Sequence, residues 1–236
     1  SFEYRHQRPE LAWKRRFDAM ITIGSALPAF LWGVAFANIV QGVPLDAGHN
    51  FTGTFFSLLN PYALLGGATT LLLFFTHGVY FVALKTDGEI RARARRLGIR
   101  ASIVTIVVAA GFLAWTVLAF GSLVGTGFAA VAAVALIASA VANARGREGI
   151  AFALMATTIA AAVLALFSSL FPAVMPASNN VANSLTIENA SSSTYTLTIM
   201  SWTALVFLPL VLAYQGWTYW TFRKRITRAH ISTAAH

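Results

Sequence analysis

The chain of 236 residues is 57% hydrophobic and 11% charged, with a mean hydropathy of +0.68, where an ordinary soluble domain carries about 25% charged residues. Its net charge of +9 sits in short clusters between long apolar runs, the place of basic membrane loops, which argues against a nucleic-acid-binding surface. The lack of cysteine removes disulfides, thiolate metal sites, iron–sulfur ligation and cysteine nucleophiles together.

A hydrocarbon core about 30 Å thick needs about 20 helical residues. Six segments approach that length: 17–40, 60–84, 101–124, 127–142, 150–171 and 196–221. They lack the period-two alternation of a closed barrel. The expected fold is therefore all-α: a polytopic membrane protein of six helices packed as a bundle, forming one transmembrane domain over 1–236.

The chain opens with Arg5, Arg8, Lys14, Arg15 and Arg16, without the apolar core and cleavage site of a signal peptide. Asp18 starts the first span, where it can snorkel or pair with Arg15 or Arg16. Asn38 and Gln41, about one helical turn apart near the far end, share a face and are placed to bond another helix or a lipid or quinone headgroup. Asn60-Pro61 reads as a helix start, with Asn60 as N-cap and Pro61 at the first helical position. In the second span His77 is the one spanning histidine. With no second spanning histidine to oppose it, it reads as a hydrogen-bonded bundle residue near the basic interface. Aromatic residues near span ends, among them Phe17, Tyr62, Tyr80, Trp202, Trp217, Tyr219 and Trp220, suit headgroup belts.

Lys85, Arg91, Arg93, Arg95, Arg96 and Arg100 separate the second and third spans. Asp87 and Glu89 among them read as a solvated turn, not as the acids of a lipid-modifying enzyme. Gly121–Gly125 and the alanine-rich runs that follow fit small-residue helix packing. Arg145 and Arg147 divide the fourth span from the fifth. Pro172 and Pro176 are expected to stop the fifth helix, Met175 to pack at the bundle mouth, and Ser191–Ser193 to cap the sixth span. Pro28 and Pro209 lie inside spans, where neighbouring helices re-satisfy the freed carbonyls. Arg223, Lys224, Arg225 and Arg228 end the pattern.

These four clusters hold all 17 lysines and arginines. The three alternate loops, around 41–59, 122–127 and 172–195, hold none and carry Asp46 and Glu188 as their only acids. Positive charge is retained on the cytoplasmic side, so both termini are expected there. No carboxylate pair, nucleophile elbow or phosphate loop stands out. Catalytic, cofactor-binding and metal-ligating residues are therefore expected to be absent from this chain. A secondary transporter is the alternative class, but residues 17–124 and 127–221 show no self-similarity and no mid-membrane charge couples an ion.

Several strings resemble subunit II of the cytochrome bd-type quinol oxidases. They are Phe2-Glu3-Tyr4-Arg5; Gly33 to Pro44, including Asn38, Gln41 and Gly42; Thr52-Gly53; and Leu58 to Gly67, including Asn60, Pro61 and Gly66. They continue with Phe171 to Ser178, including Pro172, Met175 and Pro176; Ser184 to Ile187; Asn189 to Ser193, including Ser191 and Ser192; Tyr195 to Leu197; and Tyr214 to Trp220. The strings run in order along almost the whole chain and are weakest over 101–149. Those named positions are the candidates for structural, subunit or lipid contact.

The resemblance implies a partner, subunit I, with two b-type haems and one d-type haem, in a bacterial cytoplasmic membrane complex that oxidises quinol and reduces oxygen to water. By the same resemblance subunit II is haem-poor and supports and shields subunit I. Small single-helix subunits, lipids and a nearby quinone are further expected partners, and nucleic acid is not. Family members have about nine spans, and the opening string corresponds to the end of their third helix. About three preceding helices, with their Gly-Phe-Asp and Trp-Asp-Gly-Asn type motifs, are expected to be missing here.

Overall fold

A computed structural model describes residues 4, 5, 7, 10–222 and 224. Phe2, Glu3, Arg8, Arg223, Arg225 and Arg228 lie outside these. Six long apolar helices are present: α1 (Leu11–Gln41), α2 (Pro61–Lys85), α3 (Gly88–Phe120), α4 (Leu123–Ala144), α5 (Glu148–Leu170) and, after the short α6 (Ile187–Ala190), α7 (Thr194–Thr221). Their starts follow local chemistry. The Asn60 side chain accepts from the Ala63 N–H at 2.9 Å with Pro61 at the first helical position; Ser122 and Ser193 accept from Gly125 and Thr196 in the same way. Each satisfies a donor that the first turn leaves open.

The helices are longer than the apolar runs. α3 begins at Gly88, capped by Asp87, and not near 101, so its first dozen residues carry the arginines on a helix that projects about 20 Å beyond the apolar stretch. Hydropathy marks only the part of a helix that lies in oil. At the other end α3 stops at Phe120, and only Gly121 and Ser122 separate it from α4. Gly121 therefore turns the chain, while Gly125 packs inside α4.

α1 to α5 form a contiguous bundle: α4 lies along α5, and α2 lies between α1 and α3 while also touching α5. Small residues set these approaches. A Cβ on Gly33 would lie 2.4 Å from the Gly66 carbonyl oxygen, and one on Gly66 would lie 2.7 Å from the Ala37 Cβ. Ala129, Ala132, Ala135 and Ala142 of α4 and Ala151, Ala161 and Ala165 of α5 are buried. Close backbone packing replaces the hydrophobic drive that lipid does not supply.

Two tyrosines depart from the belt reading. Tyr62 and Tyr80 are 1% and 0% exposed. Tyr62 stacks on Phe112 with centroids 5.2 Å apart, and its hydroxyl lies 2.8 Å from the Thr116 hydroxyl. A hydroxyl partner on the neighbouring helix lets the Tyr62 ring enter the core instead of seeking the headgroups. α7 differs from the rest because it buries no residue. At its end the Lys85 ammonium donates to the Phe222 carbonyl at 2.6 Å.

Candidate functional site

The two longest loops on the arginine-free face are folded into one another. α1 ends at Gly42, whose φ of +85° is open to glycine, and a Cβ there would lie 2.8 Å from the Pro176 carbonyl oxygen. Val43 donates to the Pro176 carbonyl at 3.1 Å, and Ser178 donates back to the Val43 carbonyl at 3.0 Å. Leu45 is held on both sides by one side chain: its N–H donates to Asn179 Oδ1 at 3.1 Å, and Asn179 Nδ2 donates to its carbonyl at 2.9 Å. Asn183 Nδ2 adds a third bond to the same carbonyl at 2.8 Å, and His49 Nδ1 lies 2.9 Å from the Asn183 carbonyl. Beneath these bonds Val43, Leu45 and Ala177 form a small apolar core with Leu58 and Met175 against it.

The second loop is a short antiparallel ribbon, β1 (Ala173–Met175) with β2 (Leu185–Thr186), closed by α6. The Pro172 carbonyl accepts from Ile187 at 3.1 Å. Thr186 and Asn189 form a reciprocal capping box, and Asn189 Nδ2 reaches the Ser184 carbonyl at 3.1 Å. Ser191 donates to the Ile187 carbonyl. Ser193 alone of the three serines caps α7; Ser192 is exposed between them. Asp46 Oδ1 accepts from the Asn50 and Gly48 N–H groups at 2.8 and 2.9 Å. The Asn50 bond, with help from Gly48 and His49, holds its carboxyl below the usual carboxylate range despite some desolvation.

Asn38 and Gln41 part company. Asn38 Nδ2 donates to the Leu58 carbonyl at 2.8 Å, and its Oδ1 accepts from Asn60 Nδ2 at 3.0 Å, tying the end of α1 to the start of α2. The Gln41 Oε1 is buried and has no hydrogen-bond partner among the described residues. Gly66 lies deeper, at the α1–α2 crossing, away from both loops. Asp18 pairs with Arg5 at 2.6 Å, not with Arg15 or Arg16.

Sequence reasoning missed Glu148. It opens α5, is 4% exposed, and accepts from Arg91 Nε at 2.9 Å, so it ties α3 to α5. Arg95 is also committed, with Nε donating to the Asn143 carbonyl at 3.1 Å and Nη2 to that of Ala144 at 2.6 Å. The available signal was an acid at a helix start facing an arginine-rich turn. Asp87 caps α3, and Glu89 pairs with Arg93 one turn on.

His77 departs from the hydrogen-bonded reading: its ring stacks on Phe152 at 4.3 Å, and Nδ1 has no partner among the described residues. The enclosed cavity between α2, α3, α4 and α5 holds about 50 Å³, where ligand pockets run to about 300–1,000 Å³. No group of three or more histidine, cysteine or acidic side chains among the described residues could hold a metal ion.

Residues 1–222 match the family described as "Cytochrome bd terminal oxidase subunit II". The chain is 34% identical over 232 residues to the cytochrome bd ubiquinol oxidase subunit 2 of Bacillus subtilis, covering 96% of this chain and 69% of that one. It is 30% identical over 273 residues to the cytochrome bd-I ubiquinol oxidase subunit 2 of Escherichia coli K12, covering 100% and 72%. A probable cytochrome oxidase subunit 2 of Haemophilus influenzae is 33% identical over 255 residues, covering 92% and 68%.

Proposed function

The chain belongs to the cytochrome bd terminal oxidase subunit II family, and on that premise we propose that it is the supporting subunit of a quinol-oxidising, oxygen-reducing respiratory complex in a bacterial cytoplasmic membrane. The observation that carries this reading is α7, an apolar helix of 28 residues long enough to cross a bilayer that buries no residue within the described structure. Van der Waals packing drives association in lipid, and a helix left unpacked in its own chain is available to a partner. Subunit I is that partner. It carries two b-type haems and one d-type haem, which are the complex's means of passing electrons from quinol to oxygen.

This chain's contribution is mechanical and dielectric. The braced loops fix the arginine-free ends of α1, α2 and α5, and the Arg91–Glu148 and Arg95 contacts fix the opposite end. A bundle held at both ends is a stiff, dry wall for the partner's oxygen site. Asn38, Gly42, Asn60, Pro61, Gly66, Pro172, Met175, Pro176 and Asn189 serve that stiffness, as do Ser191 through the Ile187 carbonyl and Gln41 with its buried amide oxygen, while the exposed Ser192 is left to meet a subunit, a lipid or a quinone. Single-helix subunits dock on the same apolar exterior. The arginine-bearing face and both termini are cytoplasmic, as the sorting of charge supports. No complete active site belongs to this chain.

The test is spectroscopic. Isolated with its partner, the tagged chain brings down haem absorbance and quinol-dependent oxygen consumption. Expressed alone, it yields no stoichiometric pyridine-haemochrome signal; such a signal would overturn the proposal.

A further inference from the structure

We propose that the groove between α4 and α5 is a binding site for one anionic glycerophospholipid, with its phosphate at Arg145 and Arg147 and an acyl chain along Val134, Val141, Ile150 and Leu154. The groove has a volume of about 440 Å³, and all six residues line it. Its lining is apolar except at one end, where the arginines sit, so its polarity is that of a lipid and not of a soluble phosphate.

Dimensions agree with that occupant. From Val134 to Arg145 the groove follows α4 for about 16 Å at about 1.5 Å per residue, roughly half the 30 Å hydrocarbon thickness, or one leaflet. An acyl chain anchored at the arginines ends where the groove ends.

The cationic end is held in place by bonds that, among the described residues, leave both guanidinium groups of the site uncommitted. α4 and α5 are joined by Arg145, Gly146 and Arg147, with Gly146 at φ +74°. Arg95 clamps this turn through the Asn143 and Ala144 carbonyls, and Arg147 N–H donates to the Ala142 carbonyl at 2.9 Å. Arg91 takes the nearby acid, Glu148, which would otherwise compete for these cations. Among the described residues no ion pair engages Arg145 or Arg147. Two guanidinium groups on a braced turn at the headgroup level suit a phosphodiester, which accepts charge-assisted bonds from both.

The site depends on the bundle and its basic face, not on the redox role, so it is read by lipid retention and not by turnover. The intact assembly is stripped of lipid in detergent and titrated with phosphatidylglycerol, with phosphatidylcholine of the same acyl chains, and with glycerol 3-phosphate, and retention is counted by native mass spectrometry. One phosphatidylglycerol is expected to bind. At about fivefold per surface arginine, R145Q/R147Q weakens it about thirtyfold. A138W, which fills the groove and leaves both arginines, weakens it as well. Phosphatidylcholine or glycerol 3-phosphate binding as tightly as phosphatidylglycerol, or both variants retaining it unchanged, would overturn the proposal. A photoreactive side chain in place of Val134 decides the matter if a variant does not assemble: cross-linking to lipid supports the site, and cross-linking to protein overturns it.

Discussion

Replacing Glu148 by glutamine keeps the shape of the α3–α5 contact and removes its charge. Glu148 is 4% exposed and Arg91 36%, with nitrogen–oxygen distances of 2.9 Å from both Nε and Nη2. Breaking a fully buried pair costs about 3–5 kcal/mol and an exposed one about 0–1. With one partner in contact with solvent and an amide still able to accept a bond, about 2 kcal/mol is expected for E148Q. At about 2–4 °C per kcal/mol for a chain of this size, the midpoint of thermal unfolding in detergent falls by about 4–8 °C. R91Q costs more, since it leaves an acid without its cation in a dry setting. The double variant E148Q/R91Q loses less than the sum of the two, the mark of direct coupling. E148Q melting within 1 °C of the parent, or strict additivity in the cycle, would refute the assignment of this pair as a helix tie.

Asn179→Ala leaves the Leu45 N–H without its acceptor while Asn183 still serves the carbonyl; a loss of about 1–3 kcal/mol appears as faster proteolysis of the 42–60 loop. Gly33→Val drives a side chain into the Gly66 carbonyl and costs at least about 1–3 kcal/mol, as overpacking does, read as loss of a monodisperse peak on size exclusion. Asp46 has a carboxyl depressed in the folded loop. Its contribution is therefore complete above the ordinary carboxylate pKa and is lost as pH falls through the lower folded value. Hydrogen-exchange protection at Gly48 and Asn50, taken relative to the intrinsic rate at each pH, falls as the carboxyl protonates, and D46N removes that dependence.

The helices were legible because each needed only local information: the length of an apolar run, Asn60 before Pro61, charge confined to alternate loops. Hydropathy could not place the start of α3, because helix propensity continues past the lipid boundary where apolar character stops. The clasp of Asn179 on Leu45 spans 134 positions, and nothing local to either residue announces it. Glu148 was hidden by its setting, since an acid in a basic loop reads as solvated until the fold removes the water. Tyr62 and Tyr80 misled for a related reason: belt placement and core placement use the same residue type at the same helix ends, and only Thr116 on the facing helix shows that the Tyr62 hydroxyl has an internal acceptor.

α7 buries no residue, and Lys85 ties it to the bundle at its end through the Phe222 carbonyl. A rod tethered at one end and bare along its length offers its apolar surface to lipid or to a neighbouring helix, and in a bilayer that choice is decided by packing. The sixth span therefore takes its bearings from outside the chain, where the first five take theirs from one another.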